Sequence, residues 1–122
     1  MSSTAEMTES HEPLSPAMFH VLLALAGEDL HGYAILKEVE LGTAGKVRLS
    51  TGTLYGIIKR LLNDGLIMEL RTKPSDASDD ERRRYYRLTA LGRETAAAEA
   101  ERLDEVLAIA RARKLLKKAR TA

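Results

Sequence analysis

A chain of 122 residues suffices for one small hydrophobic core with an extension, and 44% apolar residues mark it as folded rather than disordered. Without cysteine it holds neither disulfides nor thiolate metal sites, which fits a reducing cytoplasm, and the apolar run Phe19 to Ala26 is too short to span a bilayer. The net charge of +1 conceals segregation: Met1 to Glu12 is acidic, whereas Arg82 to Arg87 and Arg111 to Arg120 are basic, so local charge decides what the chain attracts. The N-terminus also lacks the basic start and cleavage site of a signal peptide, and a cytoplasmic protein without a membrane partner is expected.

Residues 1–13, rich in Ser, Thr and Glu, read as a flexible arm. Ser15-Pro16 then supplies an N-cap and a proline at the first helical position, opening a helix that Gly27 closes. That helix is apolar nearly all round, so it needs burial on more than one side, which a second copy of the chain supplies most easily. A second helix is expected from about His31 to Leu41, with Gly42 as its stop, and Lys46-Val47-Arg48-Leu49 alternates as a short strand would.

The best-marked element follows. Ser50 is a good N-cap and Gly65 suits the left-handed residue that ends a helix. Between them Leu54, Ile57, Ile58 and Leu61 fall on one side, while Gly52, Gly56, Lys59 and Asn63 fall opposite, flanked by Tyr55 and Arg60. Glycines inside a helix cost about 1 kcal/mol each relative to alanine, so a helix chosen for stability alone would avoid them. They let another molecule approach the backbone, and the first turn lies at the positive end of the helix dipole, which favours phosphate. An ordinary amphipathic surface helix is the competing reading.

Beyond Gly65, Leu66 to Lys73 alternates as a strand, the polar stretch Pro74 to Asp80 reads as a turn, and Arg82 to Leu88 reads as the returning strand. This hairpin has a basic base and an acidic tip, and because Tyr85 and Tyr86 alternate faces, at least one belongs to the core. Thr89 caps a last helix expected to reach about Ala119. Its interrupted apolar stripe, Leu91, Thr95, Ala98, Arg102, Leu103, Val106, Leu107 and Ala110, is too long for so small a domain to cover, and dimerisation through this helix and the first is the simplest remedy. At its basic end, cations favouring a helix C-terminus are a simpler explanation than nucleic-acid contact.

Helix, helix, strand, helix and basic hairpin is the order of a winged helix-turn-helix. The expected fold is therefore mainly α with a small β-hairpin: an arm at 1–13, a winged helix-turn-helix DNA-binding domain at 14–88, and a C-terminal dimerisation helix with a basic tail at 89–122. The chain resembles the PadR-like transcriptional regulators. The resemblance rests on Leu14-Ser15 with the apolar helix behind it, His31-Gly32-Tyr33-Ala34-Ile35, Leu49-Ser50 with Gly52-Thr53-Leu54-Tyr55, Leu61 with Asp64-Gly65-Leu66-Ile67, and Arg84-Tyr85-Tyr86-Arg87-Leu88-Thr89 with Gly92. It implies a homodimeric, usually repressing regulator whose Ser50 helix enters the major groove and whose 71–87 wing follows the phosphate backbone. The single C-terminal helix looks like that of the compact subgroup, where it forms the dimer interface. Thr51 and Gly56 stand where family members commonly carry proline, which loosens the helix start and alters the expected base preference.

The expected DNA-binding residues are Ser50, Thr51, Gly52, Thr53, Tyr55 and Gly56 at the helix start, Lys59 and Arg60 for charge, and Arg82, Arg83 and Arg84 for backbone phosphates, with Tyr33 and Lys37 adding contacts from the preceding helix. Tyr55 and Tyr33 are equally read as packing residues. The expected dimer interface comprises Phe19, Leu22, Leu103, Val106, Leu107 and Ala110. Partners are duplex DNA carrying a pseudo-palindromic operator, a second copy of the chain and, by the resemblance, a small hydrophobic or aromatic effector held between subunits. Phe19, Tyr33 and the first helix are the residues able to line such a pocket, although core packing accounts for them more simply, and there is no Trp to stack on flat aromatics.

A winged-helix module that binds protein instead of DNA would also suit the near-neutral charge and acidic wing tip, but it would not need Lys59, Arg60 and the arginine triplet beside two glycines. Catalysis finds no support: His11, His20 and His31 lack ligand-like spacing, no Ser-His-Asp or paired-carboxylate motif is evident, and Ser50-Thr51-Gly52-Thr53 lacks the lysine of a phosphate-binding loop. No cofactor or metal is expected.

Overall fold

The computed structural model describes residues 14–70 and 84–117. The expected arm, the wing tip with Arg82 and Arg83, and the last part of the basic tail lie outside the described residues. Helix α1 (Pro16–Gly27) starts on Ser15, whose Oγ accepts the Met18 N–H at 3.1 Å. Strand β1 (Leu30–His31) follows, then α2 (Gly32–Gly42), α3 (Thr51–Asn63), β2 (Ile67–Leu70), β3 (Tyr85–Leu88) and α4 (Ala90–Ala112). The strands form one antiparallel sheet in the order β1-β3-β2, with Ile67 opposite Leu88 at the base of the wing. Val21, Leu22, Ile35, Leu54 and Leu61 are the largest side chains with essentially no exposed surface, so the core lies where the first three helices converge on the sheet.

The third strand is not the expected one. Lys46 to Leu49 is a loop, and the sheet edge it would have needed belongs to Leu30 and His31, which pair with Tyr86 and Tyr85. Local chemistry accounts for the loop. Helix α2 ends on a left-handed Ala44 (φ 54°), with Ala44 N–H donating to Leu41 O and Gly45 N–H to Glu40 O. The Thr43 hydroxyl then donates to Val39 O at 2.9 Å and accepts the Val47 N–H at 3.0 Å, turning inward a backbone group that a strand would pair sideways. The alternation was nevertheless real: Val47 and Leu49 pack on the core, while Lys46, Arg48 and Ser50 face outward.

Helix α4 departs from expectation twice. It stops at Ala112 rather than near Ala119, closing on Lys114 (φ 64°) with Lys114 N–H to Arg111 O and Leu115 N–H to Ala110 O, both 2.9 Å. Ala112 to Lys117 are exposed, so no tertiary contact extends a helix that composition alone would have continued. Its rotation also differs. The inward line runs through Gly92, Ala96, Glu99 and Leu103, while Leu91 is 48% exposed. At about 100° per residue, Leu91, Thr95, Ala98 and Arg102 stand off this line, whereas Val106, Leu107 and Ala110 continue it toward the helix end.

Of the two wing tyrosines, Tyr86 is the core residue, 4% exposed. Burial, and then the charge of Glu69, raise its pKa above the ordinary tyrosine value. The sign follows: a folded-state pKa above the unfolded one gives stability that is fully present below about pH 10 and is lost as pH rises through the folded value, because the unfolded chain releases its proton first. Tyr86→Phe is expected to reduce the drop in melting temperature between about pH 9 and pH 11. Equal drops in the two proteins would contradict that assignment.

Candidate nucleic-acid interface

The candidate surface is built by α3 and its cap. Ser50 Oγ accepts the Thr53 N–H at 3.1 Å and donates to Thr53 Oγ1 at 3.0 Å, so one small side chain holds both the helix start and the Thr53 hydroxyl. The Thr51 and Gly52 N–H groups precede the first intrahelical bonds and point along the positive end of the dipole. Leu54, Ile58 and Leu61 anchor the opposite face in the core, and Ile57 is partly buried beside them. Thr51, Gly52, Thr53, Tyr55, Gly56, Lys59 and Asn63 are exposed together.

The exposed glycines are bare: a Cβ at Gly52 or Gly56 would meet nothing within 4 Å. Gly32, the first residue of α2, is the opposite case, because a Cβ there would stand 2.5 Å from Tyr55 Oη. Tyr55 is therefore part packed and part exposed. Its ring edge closes over the start of α2, and 49% of the residue remains exposed. From α2, Tyr33 and Lys37 project together, with Lys37 Nζ 5.6 Å from the Tyr33 ring centre, a cation–π contact that holds the ammonium at the surface.

The base of the wing is less basic than its sequence. Arg87 is held by Asp29, Nη2 to Oδ2 at 2.8 Å and Nε to Oδ1 at 3.1 Å, and those hydrogen bonds raise its pKa further. Arg84 lies 3.5 Å from Glu69, and Arg60 lies 3.6 Å from Asp64 one turn later. These carboxylates were missed in the sequence because Asp29 and Glu69 meet their arginines only through the sheet. Lys46 and Arg48 are two further cations in the segment before α3. Both are exposed, Arg48 3.6 Å from Glu40, as the two-residue alternation up to Ser50 implies.

Of the residues expected between two copies, Leu22 has no exposed surface and belongs wholly to the protomer's core, which corrects its assignment to an interface. Phe19 is partly buried against that core. Val106 and Leu107 are 47% and 39% exposed, and Leu103 and Ala110 are partly covered. A shallow groove of about 170 Å³ between α1 and α2 is lined by His20, Leu23, Ala24, Glu38, Val39 and Gly42, so neither Phe19 nor Tyr33 lines it. Among the described residues no helix is long and apolar enough to cross a membrane.

Residues 21–98 match the model of the transcriptional regulator PadR-like family. An uncharacterized protein of Lysinibacillus sphaericus is 32% identical over 73 residues, 60% of this chain and 64% of that protein, so the chain spans less than two thirds of this relative's length. Among solved structures, a PadR family transcription regulator from hypervirulent Clostridium difficile superposes with a TM-score of 0.68 at 23% identity, covering 80% of this chain and 96% of the other. Bacillus subtilis PadR in complex with operator DNA superposes with a TM-score of 0.62 at 19% identity, covering 73% and 48%. At such identities the likeness is one of fold.

Proposed function

This chain belongs to the transcriptional regulator PadR-like family, and from that premise we propose that it is a sequence-specific DNA-binding repressor acting as a homodimer in the cytoplasm. The observation that carries the reading is the open face of α3, where bare glycines and exposed hydroxyls share one surface with the positive end of a well-capped helix. Bacillus subtilis PadR, of like fold, is bound to operator DNA. The division of labour follows from chemistry. Gly52 and Gly56 admit the edge of the major groove, Thr51, Thr53 and Tyr55 offer hydroxyls to bases or phosphates, and Lys59 supplies charge on the same face, with Arg60 sharing its own with Asp64. Arg82, Arg83 and Arg84 neutralise backbone phosphates, with Tyr33 and Lys37 at the margin.

Dimerisation is supported by the uncovered half of α4. Val106, Leu107 and Ala110 prolong a line that is buried nearer the helix start, and Val106 and Leu107 remain exposed to solvent. A second copy would do so, with Phe19 at the rim. On this reading 14–88 is the DNA-binding domain and 89–122 the dimerisation helix with its tail. A small hydrophobic effector held between subunits would act through the same helix.

The test is a gel shift on the promoter region of the chain's own gene. A complex that forms at low salt and weakens steeply as salt rises is expected. Lys59→Ala and Arg83→Ala should each weaken it by roughly three- to tenfold, the wing change almost uniformly across DNA sequences. No complex at low salt would remove the DNA-binding reading, and an Arg83→Ala protein with altered sequence preference would overturn the division of labour.

A further inference from the structure

The end of α3 and the start of α4 meet at Thr89, whose side chain bonds to both. Helix α3 closes on Gly65 (φ 75°), with Gly65 N–H to Leu62 O at 3.1 Å and Leu66 N–H to Leu61 O at 2.9 Å. The carbonyls of these same two residues then receive the entry to α4. Thr89 Oγ1 donates to Gly65 O at 2.6 Å, and Thr89 N–H donates to Leu66 O at 3.1 Å. The same hydroxyl oxygen accepts the Gly92 N–H at 3.0 Å as the N-cap of α4. Gly92 itself lies against the Leu66 carbonyl, so closely that a Cβ there would stand 1.9 Å from the oxygen. Directly beside the joint, Ile67 pairs with Leu88 and prevents the two chain segments from sliding.

We propose that Thr89 is a positioning residue that sets the angle between α3 and α4, and through it the half-site spacing that the dimer accepts. The inference rests on the homodimeric DNA-binding reading above. A helix of 23 residues is roughly 35 Å long. Tilting it by about 10° at Thr89 moves its far end by about 6 Å, on the order of two base-pair steps. The surface left for a second copy, Val106 to Ala110, lies at that far end, so a small change at the joint becomes a large change in the separation of two reading helices. The hydroxyl is suited to this because it serves both helices at once, as donor to the end of one and acceptor at the start of the other.

Three substitutions separate these roles. Thr89→Ser keeps donor and cap, Thr89→Asp keeps the cap but cannot donate to Gly65 O, and Thr89→Val has neither. The full chain would first select its paired half-sites from random duplex DNA. Affinities of all four proteins would then be measured on that duplex and on versions with one or two base pairs inserted or removed between the half-sites, with a thermal melt of each protein. Wild type and Thr89→Ser should lose about tenfold or more on a changed spacing, whereas Thr89→Asp and Thr89→Val should bind the changed and selected spacings within about threefold of each other. A Thr89→Asp protein that stays folded and keeps the wild-type ratio overturns the proposal, as does uniform weakening at every spacing. Unfolding of both Thr89→Asp and Thr89→Val would assign Thr89 to folding and overturn it too. If wild type selects no paired site, the homodimeric DNA-binding reading fails first, visibly and without any substitution.

Discussion

Replacing Gly92 by alanine should cost the protein a large share of its stability, roughly 3 kcal/mol or more, although only one methyl is added. The methyl carbon would stand 1.9 Å from Leu66 O and 2.9 Å from the carbon of the same carbonyl. Neither side can give way easily. Leu66 O also accepts the Thr89 N–H, its residue closes the Schellman turn of α3, and Gly92 sits in the first turn of a capped helix. In a domain whose whole stability is on the order of 5–15 kcal/mol, the change should lower the melting temperature by roughly 12 °C or more, or leave no cooperative melt at all. A Gly92→Ala protein that melts within a few degrees of wild type would show that the two helices can part without loss, and would weaken the case for Thr89 as well.

Gly56 should respond in the opposite sense, with stability and binding moving apart. It lies mid-helix with nothing within 4 Å of where a Cβ would be, so Gly56→Ala should gain up to about 1 kcal/mol in the free protein through backbone entropy alone. Gly52→Ala should gain less, because Gly52 sits in the first turn, where helix propensity counts for less. Both residues lie on the proposed reading face. Gly56→Leu, still a good helix former, should leave the protein folded while lowering operator affinity by about a hundredfold, near 3 kcal/mol of lost binding. Urea denaturation and DNA titration on the same preparations decide it. If Gly56→Leu binds as wild type does, the backbone of α3 is not approached closely and the glycines have another purpose.

Wherever one local rule sufficed, the architecture was legible in the residues. Ser15, Ser50 and Thr89 each cap the helix they precede, and Gly65 ends α3 in the left-handed conformation only glycine adopts without cost. The two faces of α3 are as its 3.6-residue period assigns them. Tyr86 in the core and Tyr85 half out follow from the two-residue period of a strand. None of these depends on anything more than a few positions away along the chain.

The departures depend on partners far away in sequence. Strand β1 is two residues long and carries no periodic signal, and it exists because β3 has a free edge there. The rotation of α4, which turns Leu91 outward and Gly92 inward, is decided by the Leu66 carbonyl, 26 positions earlier in the chain. Arg87 looks in sequence like one more wing cation and in the structure is bound to Asp29, 58 positions away. The sequence by itself determined where the helices begin, where the first three end, which face of α3 is apolar and that this chain has the pattern of a PadR-like regulator, because caps, glycines and periodicity act over one or two turns. Only the tertiary structure decided which cations are paired with carboxylates, how α4 is rotated and how α3 is joined to it, because those are settled by which backbone and carboxylate groups meet once the core has closed.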